Sequence, residues 1–191
     1  FVLKKAEKIS CVTKEHFHDL GKMLFAFGAV FWAYIGFSQY LLIWYANIPI
    51  ETEWFIVRQM QPWLWVTLVL LFGHFIFPFL ALVSRWPKRW ILPLVPVAGW
   101  MFIMFSLDAY WLIFPRVPEE AIHDAKDYVS LAKEISSGQA YVGFGFKFIQ
   151  LTALLGMVSL WIGATAWNLR GKKLIPVNDP RLKESLSFEN F

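Results

Sequence analysis

The sequence has a single cysteine, Cys11, in 191 residues, and charged residues make up only 17% of it. One cysteine excludes an internal disulfide, and it excludes a zinc or iron–sulfur site built from the cysteines of this chain alone. Soluble domains are usually about 25% charged, so the low charge is a poor match to an ordinary soluble enzyme or a nucleic-acid-binding module. The sequence also lacks a phosphate-binding glycine loop and a nucleophile elbow, and we predict no catalytic residue in it.

Apolar residues, by contrast, make up 58% of the chain, which contains 11 Trp and 19 Phe. They concentrate in four stretches, each about the 20 residues or more needed to cross a bilayer, at residues 20–45, 62–83, 91–114 and 146–169. Such spans must be helices, because in lipid the backbone has to satisfy its own hydrogen bonds. We therefore predict an all-α integral membrane protein: one membrane domain over residues 1–191, built as a four-transmembrane-helix bundle. Pro78, inside the second span, predicts a kink there.

The distribution of lysine and arginine predicts the orientation in the membrane. Of these residues, 13 lie on the side that holds both termini and the connection between spans two and three, and 5 lie on the other side. Because basic residues concentrate in cytoplasmic loops, we predict that both termini face the cytoplasm. Residues 119–135, with apolar positions at helical spacing, predict a short helix on the outer surface. Residues 170–191 predict a cytoplasmic tail, which we expect to be extended over residues 176–191.

Small residues recur along two of the spans at steps of three and four, a spacing that lets a neighbouring helix approach closely. We predict that these positions pack against other helices: Ala29, Ala33 and Gly36 in span one, and Gly156, Ser159 and Gly163 in span four.

Two ionisable residues lie well inside the predicted spans, Asp108 in span three and His74 in span two. A charged group at such depth costs roughly 2.5–3.5 kcal/mol on insertion scales, so each is a candidate for function. We predict that they form a proton relay whose polar surroundings come from spans one and four: Tyr34, Ser38, Gln39 and Gln150. The alternative is that both residues only make structural hydrogen bonds.

A candidate for proton uptake lies at the inner edge of span one, where His16, His18, Asp19 and Lys22 cluster. The alternative is a solvated helix start, with Asp19 favoured by the helix dipole. A haem b site needs two facing axial histidines inside the bundle, and only His74 lies in mid-membrane. We therefore predict no haem or other metal in this chain.

Two segments carry a family resemblance. Residues 31–49 (FWAYIGFSQYLLIWYANIP), followed by Glu51 and Glu53, and the tail at residues 176–191 (PVNDPRLKESLSFENF) resemble the ActF subunit of bacterial alternative complex III. ActF belongs to the NrfD/polysulfide-reductase-type membrane subunits, which contain two four-helix bundles. The family has about ten spans and this chain has four. Since it also begins at Phe1, we expect a piece of a longer protein, the C-terminal bundle.

The resemblance implies a place in respiratory or photosynthetic electron transport, in the bacterial cytoplasmic (inner) membrane. The complex oxidises quinol, for example menaquinol, and passes electrons to haem and iron–sulfur centres in partner subunits. The implied partners are an ActC-like membrane subunit, iron–sulfur and cytochrome c subunits, and membrane lipids, with no nucleic acid. This chain would be a non-redox subunit that contributes proton translocation and scaffolding. Two alternatives remain open: a direct quinol-binding subunit, and a purely structural one.

Overall fold

The computed structural model describes residues 12–115, 129–130, 133, 137, 148–172, 174–175 and 178–189. Within them the regular elements are helices, with no strand. In chain order these are α1 (Lys14–Ala46), α2 (Pro49–Gln59), α3 (Trp63–Val83), α4 (Arg85–Arg89), α5 (Ile91–Ile113), α6 (Phe148–Leu169) and α7 (Leu182–Ser187). By length and composition α1, α3, α5 and α6 can each cross a membrane. The predicted all-helical class and the four membrane-length helices are confirmed.

The ends of α3, α5 and α6 lie within two residues of the predicted spans. Helix α1 begins at Lys14, before the predicted start at residue 20, because residues 14–23 continue the helix in an amphipathic segment. It ends at Asn47, whose left-handed backbone (φ 51) places its N–H 3.1 Å from the Ile43 carbonyl oxygen. Asparagine tolerates this conformation and often ends helices.

Two predicted segments of the loops and tail have different outcomes. The surface helix at residues 119–135 falls almost wholly outside the described residues and stays a prediction. The tail at residues 170–191 differs from the extended segment that we predicted, because it contains α7. Asp179 forms a turn just before this helix: its side chain accepts a hydrogen bond from the Arg181 N–H (2.9 Å), and its carbonyl accepts one from the Leu182 N–H (3.1 Å).

The chain divides into two compact units, Phe1–Phe17 with Gly145–Phe191, and His18–Phe144. The core of the larger unit is a cluster of buried apolar residues from α2 and α3: Val57, Trp63, Val66 and Leu70. No sequence pattern predicted α2, which has Pro49 in its first turn, where proline is favoured. Its buried residues Phe55, Ile56 and Val57 explain why this short segment folds back onto the longer helices.

Gly21 allows α1 and α4 to approach closely. A Cβ at this position would lie 2.8 Å from the Lys88 Cβ and 3.1 Å from the Lys88 Cα, whereas a Cβ at Gly36 would meet no atom within 4 Å. We expect Gly21→Ala to lower the free energy of unfolding in detergent by about 1–3 kcal/mol, the usual cost of overpacking. The control Gly36→Ala should raise it by about 0.5–1 kcal/mol through helix propensity. Equal effects in an SDS titration would contradict the close contact.

Candidate functional site

The two ionisable residues predicted inside the membrane are brought together by a tryptophan. Trp32 of α1 donates a hydrogen bond from Nε1 to Oδ2 of Asp108 on α5, at 3.1 Å. The same indole stacks on the imidazole of His74 on α3, with ring centroids 4.1 Å apart and ring planes at 13°. Trp32 therefore bridges three helices, and we call Trp32, His74 and Asp108 the triad.

The triad is shielded from solvent within its unit. His74 is 2% exposed and Asp108 8%. The imidazole interacts with the backbone of Gly28 and is electrostatically coupled to Asp108, so the charge of one group affects proton binding at the other. His74 Nδ1 is buried and has no hydrogen-bond partner among the described residues.

Helices α1 and α3, which carry Trp32 and His74, are each π-helical next to the triad. The π-helical segments are Leu24–Phe31, directly before Trp32, and Leu71–Ile76, which contains His74. Such segments are rare and occur frequently at functional sites. The extra residue in a π turn changes which side chains face the neighbouring helix. Here the two π segments adjoin the point where the Trp32 and His74 rings stack.

The π register also changes which carbonyl Pro78 leaves without a partner. In an α-helix, the N–H that proline lacks would bond the carbonyl of His74, as the sequence predicts. In the structure the Phe77 N–H donates a hydrogen bond to the carbonyl of Phe72, five residues back. In this five-residue register, the carbonyl that lacks a backbone donor because of Pro78 is that of Gly73. Trp100 Nε1 donates to that oxygen at 2.8 Å and replaces the missing donor.

A cavity of about 720 Å³ lies beside the triad, between α1, α3 and α5. Its walls are mostly apolar, and Trp32 and Asp108 line it while His74 does not. Of the other predicted relay residues, Tyr34 and Gln39 line the same cavity. Ser38 is half-buried on the same helix. Gln150 lies on α6 in the other unit, and its part in the relay stays a prediction.

The inner-edge residues divide into separate contacts. His16 Nδ1 lies 2.7 Å from the Thr13 hydroxyl, and its Nε2 lies 3.4 Å from Ser185 Oγ on α7. His18 is buried, at 2% exposure. Asp19 and Lys22 form an ion pair at 3.3 Å, with both side chains almost half exposed. These are the contacts of a helix start, and proton uptake through this group stays a prediction.

The small-residue positions also have different surroundings. Ala29 is fully buried and Ala33 lines the cavity. A Cβ at Gly36, Gly156 or Gly163 would meet no atom within 4 Å, and Ser159 is exposed. Close packing is therefore present at Ala29, and helix partners for the three glycines and Ser159 stay a prediction.

A second polar cluster, which sequence reasoning missed, surrounds Arg58 of α2. This arginine is 1% exposed, and its guanidinium donates to the carbonyls of Trp54 (2.7 Å), Leu112 (2.9 Å) and Trp111 (3.2 Å). The last two belong to the end of α5, where helix carbonyls lack intrahelical partners. The guanidinium carbon also lies 3.4 Å from the ring centroid of Trp54, within cation–π range.

Thr67 ties this cluster to α3. Its hydroxyl donates to the Arg58 carbonyl at 2.8 Å and receives the Trp111 indole N–H, also at 2.8 Å. Burial lowers the pKa of Arg58 to about 9, because desolvation disfavours the charged form, and the side chain stays protonated at neutral pH. The only feature of the sequence that could have indicated this cluster is the position of Arg58 between two tryptophan-rich segments. Its α5 partners are 53 and 54 residues away.

Comparison of the chain with protein-family models and with curated proteins found no match. The function is therefore inferred from the triad, the cavity and the residues that carry the resemblance to ActF subunits.

Proposed function

We propose that this chain is an integral membrane subunit of a quinol:electron-acceptor oxidoreductase of the alternative complex III type, in which Asp108 and His74 relay protons. The observation that carries the proposal is the triad: a carboxyl group and an imidazole, both buried, held by one indole beside a cavity. Ionisable residues are rare in membrane spans, and where they occur they often pair with one another and mark proton pathways. The resemblance of residues 31–49 and 176–191 supports the type of complex.

In this proposal the chain is the C-terminal four-helix bundle of an NrfD-like subunit in the bacterial cytoplasmic membrane, with both termini cytoplasmic. The haem and iron–sulfur centres belong to partner subunits, next to an ActC-like subunit that binds quinol. In the proposal Asp108 exchanges protons through the cavity that it lines, and the Trp32 N–H of α1 holds its Oδ2 oxygen. The proposal is tested by comparing quinol oxidation and proton movement in complexes that carry the parent or the Asp108→Asn chain. Both should fall in the variant.

Trp32 should act as a positioning residue for Asp108. Trp32→Phe keeps an aromatic ring to stack on His74 but removes the N–H that holds the carboxyl group, a bond worth about 1.5–3 kcal/mol when the acceptor is charged. We expect the assembled complex to retain normal levels while the pH profile of proton movement shifts. Trp32→Leu, which removes both contacts, should shift it further. A parent-like pH profile in the Phe variant would show that the indole N–H does not position Asp108.

A second candidate function is direct quinol binding, favoured by the shape and chemistry of the cavity. Its volume of about 720 Å³ falls within the range of small-molecule sites, roughly 300–1,000 Å³. Its apolar walls suit a quinone ring and its isoprenoid tail, and Asp108 offers a proton acceptor.

We expect Leu71→Trp, which adds bulk to the cavity wall, to weaken binding of a quinone-analogue inhibitor by about tenfold, or about 1.4 kcal/mol. Leu80→Trp is the matched control, since Leu80 lies on the same helix and is 65% exposed. Binding can be followed by quenching of tryptophan fluorescence, with each variant calibrated by itself. Equal affinities in the two variants would place the quinone analogue elsewhere.

A further inference from the structure

The turn between α3 and α5 concentrates positive charge. Helix α4 has the sequence RWPKR and supplies Arg85, Lys88 and Arg89, and Lys22 of α1 lies close enough to Lys88 for electrostatic interaction. We call these four side chains the basic turn. Asp19 pairs with Lys22 at 3.3 Å. Lys88 itself lies within electrostatic range of two other positive charges, those of Lys22 and Arg85.

Lys88 is the buried residue of the basic turn. It is 8% exposed, because its stem packs on Gly21, where no side chain intervenes. Its ammonium group donates to the Val83 carbonyl at 3.4 Å and lies 5.4 Å from the centre of the Phe25 ring. A strongly hydrated ammonium group is seldom held in such a position without a counter-charge. The geometry therefore presents a partly desolvated cation between two helices.

The neighbouring charges make this arrangement costly. Desolvation lowers the pKa of Lys88, and Lys22 and Arg85 lower it further by repulsion. An anion placed among these side chains would remove the repulsion. The two tryptophans that flank the turn, Trp86 and Trp90, are 65% and 47% exposed, as is typical of side chains that sit at the level of lipid headgroups.

We propose that the basic turn binds the phosphate of an anionic phospholipid, with the acyl chains lying along the exposed apolar residues of α3 and α5. A phosphate group satisfies several cationic donors at once, and basic pockets between membrane helices on the cytoplasmic side bind anionic headgroups. A soluble phosphate has the same chemistry, but the exposed tryptophans and the position between two membrane-length helices favour a lipid. This site is independent of the triad and of the proposed proton relay.

The test uses the purified full chain in detergent, depleted of lipid and then supplied with phosphatidylglycerol or phosphatidylcholine, with bound lipid counted by native mass spectrometry. We expect the parent to retain phosphatidylglycerol in preference to phosphatidylcholine. Arg85→Gln, a change at an exposed residue, should weaken phosphatidylglycerol binding by about fivefold, the effect of one basic residue near a membrane surface. Lys88→Met, which keeps the buried stem, should weaken it at least as much.

Lys183→Gln is the matched control, since it removes one positive charge from α7 in the other compact unit, and it should leave lipid binding unchanged. Equal retention of the two lipids by the parent, or parent-like binding by both basic-turn variants, would overturn the proposal. Inorganic phosphate that displaces phosphatidylglycerol and protects the chain from thermal unfolding equally well would identify a soluble phosphate as the ligand and overturn the assignment to a lipid.

Discussion

Asp108→Asn should leave the complex assembled while lowering quinol oxidation, or its coupling to proton movement, by about a hundredfold. That is the lower end of what a positioned proton-transfer group contributes. The Asn amide oxygen can still accept the Trp32 N–H, which lies 3.1 Å from the carboxylate in the parent, but an amide does not titrate. Steady-state oxidation of a quinol and acidification outside reconstituted liposomes measure the two effects.

A purely structural role for Asp108 gives the opposite pattern. Asn would then be tolerated in turnover, while Asp108→Leu would assemble poorly, since the buried Trp32 N–H would lose its acceptor at a cost of about 1–3 kcal/mol. Comparing the two variants at equal amounts of assembled complex separates a titrating group from a hydrogen-bond acceptor. The relay would be falsified if the Asn variant oxidised quinol and moved protons like the parent at every pH.

Arg58→Met should give the largest loss of stability in the chain. The substitution keeps an unbranched apolar stem but removes all three hydrogen bonds to the carbonyls of Trp54, Trp111 and Leu112. Hydrogen bonds from a charged donor contribute about 1.5–3 kcal/mol each, and the desolvation cost of the buried charge offsets part of this sum. We expect a net decrease of about 3–5 kcal/mol in the free energy of unfolding, the usual consequence of breaking a buried charged network.

The conservative variant sharpens this prediction. Arg58→Lys keeps the positive charge, but a single ammonium group does not reproduce the planar, forked contact with two helices and the stacking on Trp54. It should therefore lose about half as much stability as the Met variant in thermal or SDS unfolding. Lys172→Met, a charge removal at an exposed residue, should have little effect. Equal stability of parent and Arg58→Met would show that the end of α5 is satisfied in another way.

Only two of the three residues of the triad could be predicted from the sequence. Asp108 and His74 could be identified from the sequence because an ionisable residue in a long apolar stretch stands out by composition alone. Trp32 could not, since it is one of 11 tryptophans and its indole meets a carboxylate 76 residues away. The π-helical segments were also unpredictable, because the preference for one hydrogen-bond register over another depends on how neighbouring helices pack against the segment.

The sequence by itself determined the all-helical, membrane-spanning class of the protein and the bounds of α3, α5 and α6. A predominantly apolar segment of about 20 residues satisfies its backbone hydrogen bonds within itself only as a helix, and this condition is local, so it can be recognised without knowing the fold. The tertiary structure decided which polar groups meet: Asp108 with His74 through Trp32, and Arg58 with the last carbonyls of α5. These pairings depend on the relative rotation of helices that are distant in sequence, which apolar composition alone does not specify.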